Sequence, residues 1–383
     1  MNPPRRILVR GVNWLGDAVM TTPALLRLRE AHPEASITVL TPSKWLDLWK
    51  GHPAVDDLLG VESGEGAGSV GRRIRTGRFD TALVLPNSPR SALECFLGRI
   101  PRRIGLRRPW RNLFLTEAIP PRLESRAMRK PSLAEIRARL AGKGIARPSD
   151  EIRPEAHHLR DYLHLAAVLG ADPTPLPPQL MVAAEERRAA LDAHGGGSRR
   201  DGSGGGTGAA AEGEFLLGLN PGAEYGPAKR WPAERFAAVA NAVVERLSGR
   251  ARWLLFGGRG DQATTSAIAR EVSGSVDLAG RTTLRELMAL LAACRVVLTN
   301  DTGPMHVAAA LGVPVVVPFG STSPEMTGPG MPGDPRNHLL RAGVPCAPCF
   351  LRECPIDFRC MNGISVARVV DAVLAAAGGT SAC

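Results

Sequence analysis

The chain has 383 residues, 44% of them apolar, and carries a net charge of +11. That length exceeds one ordinary hydrophobic core and argues for two domains, while the lack of any apolar run of about 18 residues argues against a membrane span. Aromatic residues are only 4% of the chain, which leaves few stacking platforms for single-stranded nucleic acid, and no nucleic-acid-binding motif is present, so no such partner is expected.

The first residues, MNPPRRILVRG, lack the apolar centre of a secretory signal, so a cytoplasmic protein is expected. Seven cysteines in that setting argue against a disulfide framework and leave thiols or a metal site open.

Taken in order, Arg6 to Arg10 reads as a buried strand. It runs into the turn Gly11-Val12-Asn13-Trp14-Leu15-Gly16-Asp17, and a helix is predicted over Ala18 to Ala31. Strands follow at Ser36–Thr41, Asp80–Pro86 and Arg103–Leu106. Helices are predicted near Trp45 and over Ser91–Gly98, Ala134–Ala141 and Leu159–Leu169, and Val61 to Gly71 reads as a Gly/Ser-rich loop. From Ala193 to Glu214 the composition collapses to mostly Gly, Ser and Ala, a flexible segment with little to bury.

The second half repeats the alternation. Strands are expected at Phe215–Leu219, Trp253–Phe256, Val276–Ala279, Val296–Thr299 and Val313–Pro318. Helices are expected after most of them, with a last one over Ser365–Ala377. Strands alternating with helices predict two parallel-sheet α/β halves, with a ligand site at the carboxyl ends of the strands and a cleft between the halves.

Five places have residues suited to chemistry. Gly16 lets backbone approach a ligand, and Asp17 is either the N-cap of the following helix or a carboxylate that deprotonates an acceptor hydroxyl. The loop Asn220 to Trp231 holds Gly222, Ala223, Glu224 and Gly226, then Lys229-Arg230 before a helix. Loop amides, two cations and a helix start favour a phosphate or diphosphate, or else the cations are simply solvated. It is not a P-loop, since GxxxxGK[ST] is absent. Gly257 to Asp261 is a glycine turn followed by an acid, suited to a ribose hydroxyl or to a plain helix cap. Asp301, Thr302 and Gly303 offer a carboxylate, a hydroxyl and close backbone, and His306 follows on the helix. Lastly, Cys346, Cys349, Cys354 and Cys360 fall within 15 residues. They have the make-up of a tetrahedral zinc or iron–sulfur site, of reduced thiols in a tight loop, or of a labile disulfide.

Between Arg99 and Arg160 there are 16 Lys/Arg against 6 Asp/Glu. This is either a solvated basic face or a surface for an anionic partner.

The segments ILVRGVNWLGDAVMTTPAL, NPGAEYGPAKRWP, TNDTGPMHVAAALGVPVV with FGSTSPEMTGP, and CPIDFRCMNGI resemble, in this order, the bacterial heptosyltransferases of glycosyltransferase family 9. The resemblance implies an α/β GT-B fold with two Rossmann-like domains. It divides the chain into an acceptor domain (1–190), a flexible segment (191–213), a nucleotide-sugar domain (214–362) and a last helix (363–383) returning to the first domain. It implies inverting transfer of L-glycero-D-manno-heptose from ADP-heptose to the heptose I residue of the lipopolysaccharide inner core (Kdo2-lipid A bearing heptose). The cysteine-rich tail and NPGAEYGPAKRWP favour the type II branch, with type I or another family 9 donor as the near alternative. A nucleotide-sugar epimerase or hydrolase, or a non-catalytic nucleotide-binding module, stands further off.

By the same resemblance Asp17 matches the general base, with Asn13, Trp14 and Gly16 beside the acceptor. Lys229 matches the diphosphate lysine. Asp301, Thr302, Gly303 and His306 match the donor-binding D-[TS]-G-x-x-H segment, with Gly222, Ala223, Glu224, Gly257 and Asp261 along the donor. No metal-binding DxD motif is evident, so no cofactor is required. Contact with the inner face of the inner membrane is implied by the lipid-linked acceptor.

Overall fold

The computed structural model describes residues 3–142, 152–195 and 215–378. Most of the expected Gly-rich segment therefore lies outside the described residues. The chain falls into two compact units, residues 1–125 with 155–181 and residues 126–154 with 182–383. In this division the first unit ends at 181, where the sequence suggested 190, and 126–154 goes with the second unit.

In the first unit the chain runs β1 (Arg6–Arg10), α1 (Leu15–Met20), α2 (Thr22–Ala31), β2 (Ser36–Pro42), β3 (Asp57–Val61), α3 (Ala67–Thr76), β4 (Thr81–Val84), α4 (Pro89–Leu97), β5 (Arg102–Leu106) and β6 (Glu117–Ile119). Next come α5 (Leu133–Leu140), which belongs to the second unit, and α6 (Leu159–Ala167), which returns to the first. The six strands are parallel, in the order β3-β2-β1-β4-β5-β6. β1 and β4, at the centre, are buried almost throughout, as strands covered on both faces are.

The helix predicted over Ala18–Ala31 is two helices that meet at Thr21. Pro23 cannot donate to the preceding turn, and the hydroxyls of Thr21 and Thr22 bond back to the carbonyls of Ala18 and Val19. The loop expected over Val61–Gly71 is shorter than predicted, because β3 ends on Val61 and α3 begins at Ala67. Val70 and Ile74 are buried on one face of α3, and Gly71 fits closely beneath Leu97. β3 and β6 were not legible as strands, since edge strands alternate weakly and are only half-buried.

The second unit runs α7 (Ala184–Ala190), β7 (Phe215–Asn220), α8 (Ala233–Arg246), β8 (Ala251–Leu255), α9 (Gln262–Glu271), β9 (Val276–Asp277), α10 (Leu284–Ala293), β10 (Val296–Thr299), α11 (Gly303–Ala310), β11 (Val315–Pro318), α12 (Pro324–Thr327), β12 (His338–Leu340), α13 (Arg359–Asn362) and α14 (Val366–Ala376). Its sheet is also parallel, in the order β12-β11-β10-β7-β8-β9. Read from its first strand this is the same doubly wound order as the first sheet.

The last helix does not follow the expectation from resemblance. Val369, Val370 and Val373 of α14 are buried with Val239 and Val243 of α8 and with Ile364 in the second unit's own core. Burying each is worth about 1.5–3 kcal/mol, which fixes α14 to this unit. Among the described residues no helix is long and apolar enough to cross a membrane.

Candidate active site

In the first unit the chain leaves β1 into a loop held from below. The guanidinium of Arg10 is buried and pairs with the buried Glu94 carboxylate at 2.8 Å. It also donates to the Gly11 carbonyl at 2.6 Å, and the indole N–H of Trp45 donates to the Asn13 carbonyl at 3.1 Å. Asn13 and Trp14 are exposed at the tip, and Gly16 and Asp17 are half-buried in the first turn of α1.

The N-cap reading of Asp17 is corrected here, because the N-cap position is Trp14, which offers no side-chain bond. Asp17 lies one turn further in, where an acidic side chain still favours the helix start. Its surroundings include two groups that sequence reasoning missed. Burial lowers the pKa of His158, and Asp17 opposes that shift; burial raises the Tyr162 phenol well above its ordinary range, and Asp17 adds to it. Both lie on or beside α6, about 140 residues away in sequence, so no local pattern announced them.

In the second unit three loops meet at the carboxyl edge of the sheet. The first follows β7 and is the Asn220–Trp231 loop. The buried Asn300 staples both of its ends: the side-chain amide donates to the Pro221 carbonyl at 2.7 Å, and its oxygen accepts from the Trp231 N–H at 3.0 Å. Asn220 reaches Thr299 at 3.1 Å. Gly226 adopts φ +151°, and a Cβ there would lie 2.5 Å from the Arg352 carbonyl, so only glycine fits.

The loop delivers Lys229. Its ammonium lies 2.7 Å from the Asp301 carboxylate, which is only 4% exposed, and 4.9 Å from the centre of the Tyr225 ring. The Thr322 hydroxyl donates to the same Asp301 oxygen. Tyr225 is braced in turn, donating to the Phe350 carbonyl at 2.8 Å and accepting at its own carbonyl from Arg352 at 2.6 Å.

Thr302 and Gly303 open α11 with no side-chain cap, so backbone N–H groups remain for a ligand. His306, one turn on, is 5% exposed. Burial pulls its pKa down to about 4, the neighbouring Asp301 resisting and Lys229 assisting. The imidazole is therefore neutral near pH 7.

The third loop follows β8. The Asp261 carboxylate accepts from the Gly258 N–H at 2.9 Å, and a Cβ on Gly222 would lie 2.5 Å from it. A Cβ on Gly257 would come within 2.8 Å of the Asp261 side chain. The structure thus brings Gly222, Gly257 and Asp261 together, as the two glycine turns suggested. Ala223 is buried and contributes its carbonyl to Arg230, whereas Glu224 is exposed.

Cys346, Cys349, Cys354 and Cys360 line one small pocket, together with Ala228 and Ser321. The thiols are free. Among the described residues no three His, Cys, Asp or Glu side chains are gathered into a metal-ligand set. The four cysteines, open in the sequence to a metal site, reduced thiols or a labile disulfide, therefore share one pocket as free thiols. Within it the Cys354 sulfur accepts the Phe358 N–H at 3.3 Å. What the segment visibly does is brace the Asn220–Trp231 loop and the turn at Ser321. Besides the Phe350 and Arg352 contacts, Cys349 and Phe350 donate backbone N–H groups to the Ser321 carbonyl at 3.0 and 2.7 Å.

Two parallel Rossmann-like sheets, with a lysine–carboxylate pair and an open helix start at the carboxyl edge of the second, suit a nucleotide-sugar enzyme. The profile of glycosyltransferase family 9 (heptosyltransferase) matches residues 130–358. The chain belongs to glycosyltransferase family 9. It is a transferase enzyme of GT-B architecture. The lipopolysaccharide heptosyltransferase 2 of Salmonella typhimurium is 32% identical over 340 residues, 85% of each chain. Among solved structures, the ADP-heptose lipopolysaccharide heptosyltransferase II of E. coli superposes with a TM-score of 0.71 at 27% identity, covering 97% of this chain and 98% of that one. A family 9 glycosyltransferase from Veillonella parvula superposes with a TM-score of 0.75 over 97% of each chain and, at 24% identity, supports the fold.

Proposed function

We propose that the protein transfers L-glycero-D-manno-heptose from ADP-heptose to the heptose I residue of the lipopolysaccharide inner core, with inversion at the anomeric carbon. The observation that carries this reading is the Lys229–Asp301 pair, set beside the free amides that open α11. An ammonium has three donor hydrogens and Asp301 takes one, so two remain for diphosphate oxygens. The Salmonella and E. coli relatives named above support heptose as the sugar and lipopolysaccharide as the acceptor.

In this reading Asp17 takes the proton of an acceptor hydroxyl as that oxygen forms its bond to the anomeric carbon, and the bond from that carbon to the diphosphate oxygen breaks on the opposite face. Negative charge grows on the leaving ADP, where Lys229 and the amides of Thr302 and Gly303 are already in place. His306, neutral and fixed, is a hydrogen-bonding group there rather than a second cation. Asp261 and the adjoining glycines accept the ribose. No cofactor is needed for these steps. The enzyme works on the cytoplasmic side of the inner membrane, peripheral to it, because the acceptor is lipid-linked.

The test is direct. The protein is incubated with ADP-heptose and a core acceptor carrying a single heptose, and ADP release, product mass and anomeric configuration are measured. Equimolar ADP and an acceptor heavier by one heptose, with inverted configuration, are expected. ADP release without acceptor, a free epimer, or transfer only to a heptose-free core would sink the reading.

A further inference from the structure

Trp110 is the most conspicuous apolar side chain on the first unit. It is 78% exposed, and Leu113, on the same turn, is 75% exposed. Exposure of this kind is not the passive result of a loose loop. The neighbouring Arg111 is fully buried, and its guanidinium donates to the Leu106 carbonyl at 3.0 Å, the Val84 carbonyl at 3.2 Å and the Asn87 side chain at 3.2 Å. Gly105 makes room for it, since a Cβ there would lie 2.6 Å from the guanidinium. Pinned in this way, the turn holds Trp110 outward at φ +65°, a left-handed backbone that a bulky side chain rarely adopts. The apolar surface continues onto α4, where Phe96 packs on Phe114 with ring centres 5.7 Å apart.

The charge around the turn has one sign. Arg107 and Arg108 precede Trp110, and neither forms an ion pair among the described residues. Arg99, at the end of α4, is likewise exposed and without an acidic partner there. An exposed indole beside unpaired arginines matches a bilayer interface, where the ring lies among headgroups and guanidinium groups meet lipid phosphates. It does not match a second copy of the same face, because the arginines would repel their counterparts.

Topology adds an independent reason. β1, β4 and β5 are neighbours and parallel, so the chain leaves β5 into the Trp110 turn at the same edge at which it leaves β1 into the Asp17 loop. Two strand spacings separate them, roughly 10 Å along the sheet.

We propose that the Trp110–Leu113 turn is a membrane-docking surface. Trp110 and Leu113 enter the headgroup layer of an anionic bilayer, and Arg107 and Arg108 bind its phosphates. This rests on the reading that the acceptor is lipid-linked, and it adds that the sheet edge bearing Asp17 is the edge turned to the lipid.

The test is sedimentation of the full-length protein with vesicles of phosphatidylglycerol and phosphatidylethanolamine, against phosphatidylcholine alone. The variants are Trp110→Asn with Leu113→Ser, which leaves charge unchanged, and Arg107→Glu with Arg108→Glu. Thermal melts confirm that each is folded. The wild type is expected to bind anionic vesicles and not neutral ones. Each variant is expected to bind at least tenfold more weakly, each arginine lost being worth about fivefold. Turnover of an acyl-free saccharide acceptor is expected to stay within twofold of wild type in both variants. Unchanged vesicle binding by the Trp110/Leu113 variant overturns the proposal. So does equal binding to neutral vesicles, or a shift from dimer to monomer with vesicle binding intact. If the wild type fails on the acyl-free acceptor, the proposed heptose transfer to the core falls, and the vesicle result still decides this surface by itself.

Discussion

The two units share one strand order but hold their chemistry differently. In the first, Asp17 lies on a six-residue helix directly after β1, and a single buried pair, Arg10–Glu94, anchors the loop. In the second, Lys229 and Asp301 are locked by side chains from distant parts of the chain. Asn300 holds Trp231 across 69 residues, and Arg352 holds Tyr225 across 127. Asp17 is left half-open. Lys229 is fixed in advance, so on the proposed reading little ordering is left for the moment of binding.

The sharpest way to break the comparison is Asp17→Asn. Loss of a general base should cut kcat by about 10²–10⁴-fold, with ADP-heptose affinity and the melting temperature unchanged. Near-full kcat with the fold intact would remove Asp17 from the chemistry.

Lys229→Ala should behave in the opposite way, because it strips the partner from a carboxylate that is 4% exposed. A destabilisation of about 3–5 kcal/mol is expected in urea unfolding, together with weaker donor binding by calorimetry. A simultaneous Asp301→Asn change should recover part of the stability but none of the donor affinity.

Acid separates the units through their buried histidines. Burial lowers His306 to about 4, and His52 in the first unit to about 4 as well. Each folded value lies below the ordinary 6.5, so between those pH values the unfolded chain binds more protons than the native one. The stability from neutral imidazole is therefore complete above pH 6.5 and is lost as pH falls toward 4. This amounts to about 3 kcal/mol per histidine. His306→Gln should flatten the second unit's share of that slope in unfolding titrations and leave the first unit's share in place.

The smallest effect expected is from Asn300→Ala, which frees the Pro221 carbonyl and the Trp231 N–H. A loss of about 1–3 kcal/mol is predicted, and the donor KM should rise more than kcat falls. Equal changes in both would mean that the staple serves the chemistry and not the loop.

What was legible in the sequence follows the same division. The central strands were read within a residue or two, Val296–Thr299 without error, because buried β-branched runs carry their signal locally. Asp17, Lys229 and Asp301 stood out because each follows a strand at a turn. The edge strands β3, β6 and β12 escaped notice because they are short and only partly covered. Asn300, Thr322, Tyr225 and Arg352 were missed for a different reason. Their importance is created by contacts across more than twenty residues, and none bears a spacing that would single it out. The last helix was misplaced for the same reason, since a valine face says that something is covered and not by what.

The brace from Arg352 to Tyr225 also sets an order of assembly. During synthesis Lys229 emerges more than a hundred residues before Arg352 and the Ser321-binding amides of Cys349 and Phe350. The nascent second unit can pair β7, β10 and β11 while its anion loop still lacks a wall. A chain arrested before residue 349 would keep most of its sheet, the Lys229–Asp301 pair and the Asn300 staple, yet lack the Phe350 and Arg352 contacts that brace Tyr225 beside the lysine. Only a chain translated past Arg352 therefore has the brace behind Tyr225 and Lys229 in place.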